Sequence, residues 1–134
     1  MRSLKIDAIV DNLGTVTAFI DEQLEAAHCP MKIQMQIELA VEEIFVNISH
    51  YAYAAETGMA VISVDISDGK AVMTFEDSGI PYDPLAKPDP DVTLSAQERS
   101  IGGLGIFMVK KSMDDVSYEY RDGKNILMLV KKLE

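Results

Sequence analysis

Cysteine is nearly absent: Cys29 is the single one in 134 residues. One thiol excludes an internal disulfide and any cysteine-built metal site, and it suits a reducing cytoplasm. Positive charge is scarce as well. Twelve Lys and Arg stand against 22 Asp and Glu, a net charge of −10. Non-specific binding to nucleic acid or to an anionic membrane needs Lys and Arg at the phosphates, so the charge argues against both. It leaves room for a nucleotide, because backbone N–H groups and Mg²⁺ hold phosphate locally. No apolar run approaches the ~18 residues of a membrane span. The opening MRSLKIDAIVDN lacks the apolar centre of a secretion signal. There is no internal repeat, low-complexity tract or linker. What remains is ordinary for a globular domain, 48% hydrophobic and 25% charged, and residues 1–134 suit a single domain with its own core.

Hydropathy patterning divides the chain. SLKIDAIV alternates as a short strand, and Asp11 or Asn12 is placed to cap the helix after it. Leu13 to Ala27 carries Val16, Phe19, Ile20 and Leu24 at helical spacing. His28, Cys29 and Pro30 break the chain before a second helix over Met31 to Ala54, and Glu56, Thr57 and Gly58 then turn it. Met59 to Ile66 and Ala71 to Glu76 are β-rich and flank a hairpin turn, Ser67-Asp68-Gly69-Lys70. From Asp77 to Ile101 the pattern collapses, and four of the five prolines fall there. A loop of that length in a compact domain is functional or disordered. Gly102 to Met113 opens glycine-rich and becomes helical. Val116 to Arg121 and Asn125 to Leu133 read as strands around a turn at Asp122, Gly123 and Lys124. The order βααββ, loop, αββ predicts an α+β two-layer sandwich, with about three helices on one face of a mixed, mostly antiparallel sheet.

The chain is organised around ELAVEEIFVNISHYAY, residues 38–53. Ile37, Val41, Ile44, Ile48 and Tyr51 form the apolar stripe of a helix packed on a core. Glu43 and Asn47 stand four apart, hence on one face, among apolar neighbours. Buried alone they would be costly. Either that edge turns to water, or it faces something polar that the chain lacks, such as a metal and its ligand. A carboxylate can serve as general base, and a carboxamide oxygen can ligate Mg²⁺.

Two more stretches have chemical potential. DSGIPYDP, residues 77–84, comes directly after a strand. Asp77 there can accept from an exocyclic amine such as that of adenine, and Gly79 permits close approach of a flat ring. The bland reading is a proline-rich turn capped by Asp. Gly102-Gly103-Leu104-Gly105 precedes a helix, where backbone N–H groups converge on anions. It is not a P-loop, lacking G-K-[ST], and not a dinucleotide fingerprint, lacking the preceding strand-to-helix order.

In their order and spacing the three stretches resemble the GHKL, or Bergerat-fold, ATPase superfamily, in particular its anti-sigma-factor serine/threonine kinases. EEIFVNISHYAY looks like that family's N box, and EDSGIPYDP and RSIGGLGIFMVKK like its two glycine boxes. The resemblance implies the Bergerat ATP-binding fold, with ATP and Mg²⁺ as cofactors. It matches Glu43 to the general base, Asn47 to the Mg²⁺ ligand, and Asp77 to the adenine-reading carboxylate with Gly79 beside the ring. Gly103 and Gly105 match the hinge and phosphate-binding turn, with N–H groups near Leu104 to Ile106 cradling phosphate. Residues 84–101 match the ATP lid, and Arg99 at its base is placed to reach the γ-phosphate. The chain departs from the pattern where Tyr51 stands in place of His and where Gly123-Lys124-Asn125 replaces a Gly-Thr-type turn. His50 is a candidate phosphate contact and Asn125 a candidate polar group toward adenine.

The implied activity is phosphorylation of an anti-sigma-factor antagonist in the cytoplasm, with a sigma factor as second partner; a homodimer is compatible with it. The alternatives are a module that holds ATP or ADP and controls a partner by conformation alone, and an interaction domain without nucleotide. Among smaller features, Met108, Met113 and Met128 are expected to fill core gaps. Cys29 is expected at a loop edge, and Lys110, Lys111, Lys131 and Lys132 in solvent.

Overall fold

Two Asp-Gly pairs set the hairpins. Asp68 and Gly69 have φ of 53° and 74°, and Asp122 and Gly123 have 55° and 77°. Two consecutive residues of positive φ make the tight turn whose twist matches paired strands. The computed structural model describes residues 1–53, 58–86 and 103–134. Its strands are β1 (Arg2–Asp7), β2 (Met59–Ser67), β3 (Lys70–Asp77), β4 (Asp115–Arg121) and β5 (Lys124–Lys132). Its helices are α1 (Leu13–Ala26), α2 (Met31–Tyr51) and α3 (Gly103–Ser112), with 3-10 turns at Val10–Asn12 and Pro84–Ala86. The sheet runs β1-β2-β3-β5-β4. Every pairing in it is antiparallel, so the expected mixed sheet has no parallel pair among the described residues.

Register explains why the helices cover one face. Leu4, Ile62, Phe75, Leu127 and Tyr118 form one rung across all five strands. Ile62, Phe75 and Leu127 are buried, with Val16, Ile20 and Leu24 of α1, Ile37, Val41, Ile44 and Phe45 of α2, and Ile106 and Val109 of α3. Each such side chain contributes roughly 1.5–3 kcal/mol over its exposed state. The alternate rung, Ser3, Ser63, Thr74, Met128 and Ser117, points away from the helices.

Four sequence expectations change. Asn12 does not cap α1. Its Nδ2 donates to the Asp7 carbonyl instead, closing the turn that leads into the helix. Of the three methionines assigned to the core, only Met113 is buried. Met108 is 56% exposed and Met128 lies on the open sheet face. Lys131 is not simply solvated: its Nζ donates to the Ser112 carbonyl at 2.5 Å, satisfying the last turn of α3. Lys111 lies over the Phe107 ring at 5.5 Å. Cys29 packs half-buried against the core edge, as expected. The lid expected at 84–101 falls outside the described residues from 87 onward. Glu56, Thr57, Arg99 and Gly102 fall outside them too. No helix among the described residues is long and apolar enough to cross a membrane.

Candidate functional site

The apolar face of α2 is committed to the sheet, which leaves Glu43 and Asn47 half-buried on its flank. Asn47 Nδ2 donates to Glu43 Oε1 at 3.3 Å. That bond leaves Asn47 Oδ1 without a hydrogen-bond partner among the described residues, an acceptor suited to a hard cation. Burial pushes the Glu43 carboxyl above its ordinary range. The Asn47 bond opposes the shift, and the nearby Glu42 charge adds to it. The first turn of α3 lies against this carboxylate. A Cβ at Gly105 would overlap the Glu43 carboxyl group, so a side-chain-free residue is what allows the two helices to meet there. Gly103 and Leu104 begin that turn, whose leading N–H groups have no partner inside the helix. Ile106 behind them is buried in the core.

Asp77 closes β3 and is buried. Its Oδ1 accepts from the Gly79 N–H at 2.9 Å and from Asn125 Nδ2 at 2.9 Å. Asp77 and Asn125 are cross-strand partners in the β3–β5 register. Asn125 is also saturated on its other sides. Nδ2 donates to the Ile80 carbonyl at 2.8 Å, and Oδ1 accepts from the Tyr82 N–H at 3.1 Å and from the Tyr118 hydroxyl at 2.5 Å. Burial raises the Tyr118 pKa, the Tyr82 backbone opposing and the Asp83, Asp77 and Tyr120 charges adding, so the phenol stays a donor. Gly79 is required by space: a Cβ there would overlap the Ala52 carbonyl, which also accepts from the Ile80 N–H at 2.9 Å.

Between these groups lies a cleft of about 440 Å³, counting its open mouth. Its walls are mostly apolar, Ile44, Ile48, Phe75 and Leu127 among them, and Asn47, Asp77 and Asn125 reach it from α2, β3 and β5. An apolar slot with a few convergent polar groups suits a flat heterocycle. Tyr51 and Tyr82 stand at its wall with ring centroids 6.1 Å apart.

The structure therefore unites most of the residues singled out in the sequence. Asn47, Asp77 and Asn125 line one cleft, Gly79 shapes the turn after Asp77, and Glu43 and Gly105 meet beside Asn47. His50, the candidate phosphate contact, is exposed and outside the apolar cleft wall, with its ring edge-on to Tyr51 at 6.0 Å. Asn125, the candidate polar group toward adenine, lines the cleft with its polar atoms already hydrogen-bonded within the chain. Tyr82 and Tyr118 were missed. The one trace of Tyr118 in the sequence is the alternation of VSYEYR, which puts it on the inner face. No cluster of three acidic, His or Cys groups fit to hold a metal occurs among the described residues. Mg²⁺ remains compatible, because it binds through one or two protein groups with phosphates and waters.

Comparisons with known proteins bear on the family and the fold. The model of the histidine kinase-like ATPase domain matches residues 6–131. The serine-protein kinase RsbW of Listeria monocytogenes is 29% identical over 97 residues, 69% of this chain and 62% of its own length. The chain thus spans less than two thirds of that curated relative. Among solved structures, the RsbU and RsbW domains of a Mycobacterium tuberculosis protein superpose with a TM-score of 0.65 at 17% identity, over 99% of this chain and 33% of that one. The SiaB–SiaC complex from Pseudomonas aeruginosa gives 0.56 at 18% identity, over 96% and 88%. At those identities the two structures speak for the fold.

Proposed function

The chain belongs to the histidine kinase-like ATPase domain family, and from that premise we propose that it binds ATP with Mg²⁺ and phosphorylates a serine or threonine of a partner protein. The observation that carries this is the meeting of Glu43, Asn47 and Gly105 beside the cleft that Asp77 enters. Bound ATP and Mg²⁺ supply the phosphoryl group and the charge neutralisation that transfer needs. Asp77 Oδ2 accepts from the adenine amino group. The apolar wall of the cleft takes the ring, and the missing Cβ of Gly79 keeps the turn close. Asn47 Oδ1 ligates the cation. The leading N–H groups of α3, from Gly103 to Ile106, donate to phosphate oxygens. Glu43 takes the proton of the attacking hydroxyl, and its raised pKa makes it a better base than an exposed glutamate. Arg99 supplies positive charge at the phosphates.

The Listeria relative's name, a serine-protein kinase, supports the kinase reading; the partners proposed with it, an anti-sigma-factor antagonist as the phosphorylated one and a sigma factor as the second, in the cytoplasm, are those that the sequence resemblance implies. Incubation with γ-labelled ATP and a candidate antagonist tests the reading. Label on an antagonist serine or threonine, lost in Glu43→Ala, supports it. ATP binding without transfer to any candidate overturns it in favour of a regulatory module that acts by conformation.

A further inference from the structure

The hydrogen bonds of Asn125 leave no choice about how its amide faces. Asp77 Oδ1 and the Ile80 carbonyl are acceptors, so Nδ2 must point to them; the Tyr82 N–H and the Tyr118 hydroxyl are donors, so Oδ1 must point to those. Turning the amide over would set a donor against the Tyr82 N–H and an acceptor against both Asp77 Oδ1 and the Ile80 carbonyl, three mismatches that only the Tyr118 hydroxyl, able to accept as well as donate, would tolerate. The same geometry decides the state of Asp77. Oδ1 is occupied by Asn125 and by the Gly79 N–H, while Oδ2 has no partner among the described residues. The carboxylate therefore presents a single, fixed acceptor to the cleft that it lines.

We propose that Asn125, held by Tyr118, is a positioning residue that sets base selectivity: it locks Asp77 so that the site accepts a 6-amino purine and rejects a 6-oxo purine. This rests on the reading of the cleft as an ATP site, and deepens it by naming what makes the base choice. A 6-amino group donates to a fixed carboxylate oxygen, whereas a 6-oxo group sets a lone pair against it. Released from Asn125, the Asp77 carboxyl can rotate, share its oxygens among water and the loop, and lose that discrimination. Asn125 acts through Asp77 and makes no hydrogen bond to a ligand, because its own donors and acceptors are spent within the chain. Tyr118 is the outermost member of the relay. Its hydroxyl fixes the amide plane from β4, one strand beyond β5.

Calorimetric titration of the full chain with Mg-ATP and with Mg-inosine triphosphate tests this, since the two differ at position 6. Wild type should prefer ATP. In Asn125→Ala the ATP-to-inosine-triphosphate preference should fall by about tenfold, and in Tyr118→Phe by about threefold, the worth of one or two hydrogen bonds. The fall should come from weaker ATP binding, with inosine triphosphate unchanged or tighter. A role confined to stability predicts equal weakening of both nucleotides, and that result, or an unchanged ratio, overturns the proposal. Should Asn125→Ala fail to fold, the ratio in Tyr118→Phe decides the question. Failure of wild type to bind either nucleotide overturns the ATP reading itself, which a changed ratio cannot do.

Discussion

Gly105 and Glu43 are fitted so closely that a methyl group on the glycine would occupy the space of the carboxylate. What would have to yield is the tip of a flexible side chain, not the backbone. Gly105→Ala should therefore fold and melt within about 2–4 °C of wild type. The displaced carboxylate loses its Asn47 bond and its position for proton transfer. Turnover should drop at least ~10²-fold, the usual worth of a positioned general base, with ATP affinity nearly intact. Kinetics with labelled ATP beside a thermal melt would check this; an unchanged kcat would remove Glu43 from the chemistry.

Gly79 presents the opposite case. A methyl group there would meet the Ala52 carbonyl, fixed at the end of α2 and already accepting from the Ile80 N–H. Backbone cannot swing aside as a side chain does, so the turn after β3 must move. Gly79→Ala should cost about 1–3 kcal/mol, the range for overpacking, and should weaken ATP binding because Asp77 loses its Gly79 N–H bond. Denaturant unfolding and calorimetry measure the two effects. Full stability with full affinity would show that the turn has slack.

Much of this was legible in the chain. The Asp-Gly pairs announced both hairpins because positive φ at two successive positions is a local demand. The Ile37, Val41 and Ile44 stripe announced the buried face of α2, and with it the flank that holds Glu43 and Asn47. The Asn125 hub was illegible because three of its four partners lie 43 to 48 residues away, Asp77 brought opposite by the β3–β5 register and Ile80 and Tyr82 by the turn after β3. Met108 and Met128 were misplaced for a related reason. Residue type says that methionine fills gaps, but the face on which a position falls decides whether there is a gap to fill.

Glu43→Gln separates chemistry from stability. Glutamine keeps the shape and can still accept from Asn47, yet it cannot take a proton. Transfer should fall by ~10²–10⁴. In wild type, the burial that raises the Glu43 pKa should place the acid limb of activity above the ordinary value of 4.5. The same shift has a stability sign. A carboxyl with a raised folded-state pKa favours the protonated form, so ionised Glu43 opposes folding once pH exceeds the folded pKa. Glu43→Gln should therefore melt higher than wild type at pH 7.5 and show no gain at pH 4. A lower melting temperature at pH 7.5 would contradict the burial account.

Asp21 is the sharper pH sensor, away from the cleft at the α1–α2 contact. Its pKa is raised to about 6 from an ordinary 3.8, first by burial, then by the hydrogen bond and charge of Glu38, with Glu25 adding and Gln34 opposing. Oδ1 is buried without a hydrogen-bond partner among the described residues. The folded chain thus holds a proton between pH 3.8 and about 6 that the unfolded chain releases. Stability should fall as pH rises through that window and stay reduced above it. Asp21→Asn removes the charge and keeps the shape, so it should raise Tm by roughly 2–5 °C at pH 7.5, with the gain fading below pH 4. Melts of both proteins at half-unit pH steps would show the curves converging on the acid side. Curves that stay parallel from pH 4 to 8 would mean that Asp21 remains ionised throughout, its charge solvated despite the neighbouring Glu38.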